Sequence, residues 1–177
     1  MQLTSSAFEQ NGSIPAKYTC DGAGVNPPLH ITGVPPGSRE LALIVYDPDV
    51  PKSIRADGRY SHWVLWKLAP GTSTIEEHRS GGISEGGQAG YIPPCPPNGE
   101  HRYIFQLFAL DKSLGDAKIF LEQDLRRAMQ GHIVEQTELV GRYTSRTSTA
   151  MNLILPAIVG VAIAALAWKV IAARRRA

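Results

Sequence analysis

The chain has 177 residues, 43% of them hydrophobic and 19% charged, which excludes intrinsic disorder and suits one domain with an appendage. Its net charge of +2 hides an asymmetry: all 16 acidic residues precede residue 150, while Lys169, Arg174, Arg175 and Arg176 follow it. The basic character thus belongs to the tail, so charge gives no support to a nucleic-acid-binding face, and no nucleic-acid partner is expected.

Residues 41–46 (LALIVY) form a continuous apolar run rich in branched side chains, the pattern of a buried central strand. Residues 62–68 (HWVLWKL), 102–110 (RYIFQLFAL) and, more weakly, 138–143 read as further strands. Proline- and glycine-rich connections separate them, at 35–37, 47–51 and 91–99. Short strands joined by turn-rich loops predict an antiparallel β fold. Leu121, Leu125, Ala128, Met129 and His132 recur at helical spacing, which predicts one helix over 118–133.

Beyond a short polar linker, residues 153–168 (LILPAIVGVAIAALAW) carry no charge. Continued through Ala173 as a helix, with only Lys169 interrupting, this stretch would be ~31 Å long, close to the hydrocarbon thickness of a bilayer. Trp168 suits the interface, Lys169 can snorkel, and the three arginines form a polar stop. The expected organisation is a domain over 1–143, a linker over 144–150, a single-pass transmembrane helix over 151–173 and a basic tail over 174–177. A buried core helix is the alternative, but such a helix seldom lacks polar residues on every face. Gly160 and the alanines would let residues 153–173 pack on a helix of a membrane protein partner.

Topology has two readings. The chain opens with no basic and apolar leader, so the expectation is a tail anchor with a cytoplasmic domain. The triple arginine favours the reverse, an extracytoplasmic domain. The two cysteines, Cys20 and Cys95, show no zinc spacing. Sequence leaves their pairing open, and two separate thiols are what a cytoplasmic domain would keep.

Polar residues concentrate at strand ends. In Asp47-Pro48-Asp49-Val50-Pro51 a proline on each side of Asp49 restrains the backbone. Ser61-His62-Trp63 opens the second strand, Pro93-Pro94-Cys95-Pro96-Pro97 forms a stiff loop, and His101-Arg102-Tyr103 opens the third strand. Taken singly, each reads as an ordinary turn or strand end. Together, with Tyr18-Thr19-Cys20-Asp21-Gly22, Asn26-Pro27-Pro28-Leu29, Gly131-His132 and Leu139-Val140-Gly141-Arg142-Tyr143, they resemble the phosphatidylethanolamine-binding protein (PEBP) family, in particular its bacterial and archaeal branch related to Raf kinase inhibitor protein.

The resemblance implies a mainly β fold: an antiparallel β-sandwich of a central sheet and a smaller one, with a few peripheral helices. It also implies a small cavity at one end for a phosphate-type or other anionic head group. Carried over residue by residue, the ligand-binding set is Asp47, Asp49, His62, Cys95, Pro97, His101 and Tyr103, with Tyr18 and Asp21 nearby. Pro93 stands where family members often have glycine, so the loop is expected to be stiffer. Animal relatives close the cavity with a C-terminal helix, whereas this chain runs into its linker after Tyr143, so the cavity is expected to be more open.

The expected mechanism is capture of an anion by His62 and His101, with Asp47 and Asp49 favouring their protonated forms or meeting an ammonium group. No cofactor and no catalytic residue are expected. The resemblance implies a non-enzymatic binding or regulatory module, with inhibition of a kinase or protease as the expected regulatory role. Competing readings are a hydrolase using His and Asp as acid and base, a metal site from Asp47, Asp49, His62 and His101, and an accessory subunit docked by its helix to a larger membrane complex.

Overall fold

Strand β3 (Glu40–Asp47) is buried along nearly its whole length, and its neighbours explain why its sequence is a continuous apolar run. In a computed structural model of the chain, which describes residues 1–146, β3 lies inside a four-stranded antiparallel sheet of order β4-β3-β6-β7. Its neighbours are β4 (Tyr60–Leu68) and β6 (Glu100–Leu110), and β7 (Ile133–Thr144) lies at the edge. A three-stranded sheet, order β1-β2-β5, is built from β1 (Gln2–Thr4), β2 (Leu29–Thr32) and β5 (Thr74–Ile75).

Strand side chains alternate between faces, and both faces of the larger sheet are covered. Leu41, Leu43 and Val45 of β3 pack with Phe105 and Leu107 of β6 against Leu3, Ile31 and Ile75 of the smaller sheet. Ala42 and Ile44 point the other way, into a second core with Phe108, Leu110, Leu125 and Met129. Leu125 and Met129 come from helix α1 (Glu122–Met129), so one helix covers the face that the small sheet leaves open. The mainly β, antiparallel two-sheet architecture agrees with the sequence expectation.

Helix α1 is shorter than the expected 118–133. The Asp124 carboxylate accepts the Leu121 N–H at 3.0 Å and the Phe120 N–H at 3.2 Å, which fixes the start of the helix. At the other end Gly131 takes a φ of 78°, the left-handed conformation that ends helices. Ile133 then belongs to β7 rather than to the helix.

The end of the linker, the expected transmembrane helix over 151–173 and the basic tail lie outside the described residues. Among the described residues no helix is long and apolar enough to cross a membrane.

Cys20 and Cys95 are joined in a disulfide, with their Cα atoms 5.4 Å apart. This corrects the expectation of two separate thiols. The two loops are already docked, because the Cys20 N–H donates to the Pro94 carbonyl at 3.0 Å, and that contact brings together cysteines 75 residues apart.

Candidate functional site

Antiparallel pairing gathers chemistry from distant sequence at one rim of the large sheet. Asp47 at the end of β3 pairs with Tyr60 at the start of β4. Tyr46 pairs with Ile104 near the start of β6, which brings His101 and Tyr103 to the same rim. His62 follows Tyr60 by two residues and so shares its strand face.

These residues surround a cavity of about 310 Å³. Its polar wall is Asp47, His62 and Tyr103, and its apolar wall includes Val50, Ile54, Tyr60 and Ile92. Pro93, Cys95 and Pro97 close one side. The disulfide therefore anchors the wall itself, tying Cys95 to the Cys20 turn.

Asp47 is the carboxylate of the cavity wall and is only 3% exposed. One oxygen accepts the Asp49 N–H at 2.7 Å. The other lies 2.7 Å from Nδ1 of His101, which is itself 3% exposed. Nδ1 of His62 sits 2.8 Å from the Ile92 carbonyl. A carbonyl only accepts, so Nδ1 of His62 carries the proton and Nε2 of the neutral ring is an acceptor. The His62 ring also packs edge-on against Tyr103, 5.2 Å between centroids.

Burial holds His62 below the usual imidazole range; the Ile92 contact and the Asp47 charge oppose this without reversing it. The neutral ring is thus the resting form: Asp47 favours the protonated ring, as expected, but burial outweighs it. Burial also pushes the Tyr103 phenol far up, so that group remains a neutral donor. Its hydroxyl is buried beside Asp47 and makes no hydrogen bond of full geometry among the described residues.

The family model of the phosphatidylethanolamine-binding protein matches residues 4–144 of the chain. The chain belongs to the PEBP family. A UPF0098 protein of Chlamydia trachomatis is 45% identical over 147 residues, spanning 81% of this chain and 98% of its own length. A UPF0098 protein of Methanothermobacter thermautotrophicus is 38% identical over 153 residues, spanning 81% and 98%. Among solved structures, a PEBP homolog from Chlamydia trachomatis superposes with a TM-score of 0.78 at 43% identity, over 81% of this chain and 97% of its own. Escherichia coli YbcL, described as a member of the mammalian PEBP family, shares the fold with a TM-score of 0.69 at 22% identity, over 82% and 98%.

Within this PEBP domain the residues singled out from sequence separate into groups. Asp47, His62, Cys95, Pro97 and Tyr103 meet around the cavity. His101 stands behind Asp47 as its hydrogen-bond partner and is not one of the wall residues. Asp49 faces elsewhere: its carboxylate takes the Arg102 backbone N–H, Nε and a terminal nitrogen at 2.7–2.9 Å, and that guanidinium holds it below the usual carboxylate range. Tyr18 donates to Glu77, and Asp21 accepts from the Tyr143 hydroxyl and the Arg146 N–H, so neither lines the cavity. Among the described residues no group of three or more His, Cys, Asp or Glu side chains is placed to hold a metal ion.

Sequence reasoning missed Val50, Ile54, Tyr60 and Ile92. Tyr60 could have been found from its period-two relation to His62; the aliphatic residues carry no chemical signal. A second cleft, about 440 Å³, lies on the α1 side of the sheet. Its charged walls pair with one another, Arg55 with Glu85 and both Arg59 and Arg126 with Glu122, so a ligand there would have to break those pairs.

The placement of Asp49 yields an expected result. Arg102→Ala removes a half-exposed ion pair and should cost under about 1 kcal/mol, as such pairs usually do. Urea denaturation measures this, and a loss of several kcal/mol would mean that Asp49 has a buried role.

Proposed function

We propose that this protein is a membrane-tethered, non-enzymatic binding protein whose cavity holds the head group of a phosphate-bearing amphiphile. The observation that carries the reading is the hydroxyl of Tyr103 in the cavity wall, buried beside Asp47 with no hydrogen bond of full geometry. A buried donor without an acceptor costs about 1–3 kcal/mol, and a ligand oxygen would recover it. Asp47 and Nε2 of His62 offer acceptors on the same wall, suited to an ammonium or hydroxyl group. Phosphoethanolamine carries both kinds of group.

A binding role is favoured over hydrolysis because Cys95, the obvious nucleophile of the site, is consumed in the disulfide. The tether rests on the uncharged run over 153–168. The disulfide favours an oxidising compartment for the domain, and the three arginines after the apolar run favour the cytoplasm for the tail. The two together support an extracytoplasmic domain.

Calorimetry with phosphoethanolamine and with inorganic phosphate tests the ligand class. Tyr103→Phe and His62→Ala should each weaken binding at least about fivefold, the worth of a hydrogen bond of roughly 1 kcal/mol. Unchanged affinity in both variants would remove the proposal.

The same experiment has a pH signature. If a phosphate oxygen faces Nε2 of His62, binding must protonate a ring that burial keeps neutral. The bound pKa then lies above the free one, so affinity rises as pH falls from the bound value to the free value. Proton uptake near pH 7, read from the dependence of binding heat on buffer ionisation, should approach one. An ammonium on Nε2 instead gives no uptake and no gain in acid.

A further inference from the structure

Strand pairing decides which end of the domain meets the C-terminal segment. β7 ends at Thr144, opposite Glu100 at the start of β6, which is the rim that bears the cavity. The next residues are fastened there. The Ser145 hydroxyl donates to the Pro96 carbonyl at 2.9 Å, and the Arg146 N–H donates to Asp21 at 2.8 Å. Pro96 lies between Cys95 and Pro97, both residues of the cavity wall.

From Arg146 to Leu153, where the apolar run begins, fully extended chain spans at most ~25 Å. A domain of this size has a radius of gyration near 15 Å and so a width of roughly 38 Å. Whatever conformation the connection takes, it is shorter than the domain is wide. The far end of the sheet, where Leu110 pairs with Ile133, cannot turn to the bilayer while the near end stays within reach of its anchor.

The near end also carries an apolar rim. Ile54 lines the cavity and yet is 60% exposed, so it sits at the mouth, with Val50 and Pro93 in the same wall. Lys52, two residues before Ile54, is exposed and cationic, which suits phosphate groups at a lipid surface.

We infer that the mouth of the cavity is a bilayer-facing surface: Ile54 rests among the lipid head groups, and the ligand enters from the membrane rather than from bulk water. This deepens the function proposed above and rests on its tether.

The test uses the full chain in phosphatidylcholine vesicles containing phosphatidylethanolamine and a lipid with a nitroxide on its head group. Both native cysteines are paired, so Ile54→Cys and, at the far end, Lys112→Cys each supply a single thiol for a fluorophore. The probe at position 54 should be quenched at least about threefold more than the probe at 112, because an interfacial side chain lies within ~5–10 Å of the head groups. Equal quenching, or stronger quenching at 112, overturns the inference while leaving the tether intact. Flotation of the same samples separates the two ideas: a chain that fails to float with vesicles defeats the tether, and the inference with it. Hydrogen exchange of the unlabelled chain gives a check free of substitutions, with vesicles expected to protect amides in residues 50–58; unaltered exchange there also counts as refutation.

Discussion

Asp47→Ala should lower the stability of the domain by about 3–5 kcal/mol, the cost usually seen when one partner of a buried pair is removed. The reason is geometric. One carboxylate serves two buried donors, Nδ1 of His101 and the Asp49 N–H, and alanine leaves both without an acceptor. For a domain of this length the loss corresponds to a fall in melting temperature of roughly 10 °C or more. Asp47→Asn keeps an acceptor oxygen and should cost clearly less. Thermal melting followed by circular dichroism measures both, and an alanine variant within 1 °C of the parent would show that water or rearranged side chains satisfy the donors.

The second large effect belongs to the disulfide. Its cysteines are 75 residues apart, and cross-linking a loop of that length lowers the entropy of the unfolded chain by an amount worth about 4 kcal/mol. The double substitution Cys20→Ser, Cys95→Ser should lose stability of that order in guanidinium denaturation. Reductant should destabilise the parent and leave the double variant unchanged. Insensitivity of the parent to reductant would mean that the link is absent in solution. Head-group affinity should fall as well, since Cys95 holds one wall of the cavity.

How much of this was visible in the sequence depended on burial and length. β3 was legible because a strand covered on both faces must be apolar at every position, and the run 41–46 is. β1, β2 and β5 were not, because stretches such as Gln2–Thr4 and Thr74–Ile75 are too short to show a period. The helix was seen but drawn too long: Leu121 and His132 fit the spacing, while the amide bonds to Asp124 and the turn at Gly131 set the real ends.

The site was legible through its family resemblance at residues with distinctive chemistry, such as Asp47, His62 and Tyr103. What sequence could not supply was direction. Asp47 and Asp49 flank one proline, yet one carboxylate turns inward to His101 and the other outward to Arg102. Nor could it supply the protonation of His62, whose ring burial keeps neutral against the opposing Ile92 carbonyl, while that carbonyl fixes the proton on Nδ1. The pairing of Cys20 with Cys95 was hidden for a similar reason, since only the docking of two distant loops makes it possible.

Every side chain of β3 from Leu41 to Val45 belongs to one of the two cores, while most of the cavity wall comes from the β3–β4 and β5–β6 connections rather than from that strand. Framework and recognition are therefore separable. Retargeting the pocket is a matter of rewriting Val50, Ile54, Ile92, Pro93 and Pro97, which belong to neither packed layer's buried core, with the Cys95 link kept, whereas Leu41 to Val45 offer no position from which specificity could be tuned without dismantling the scaffold.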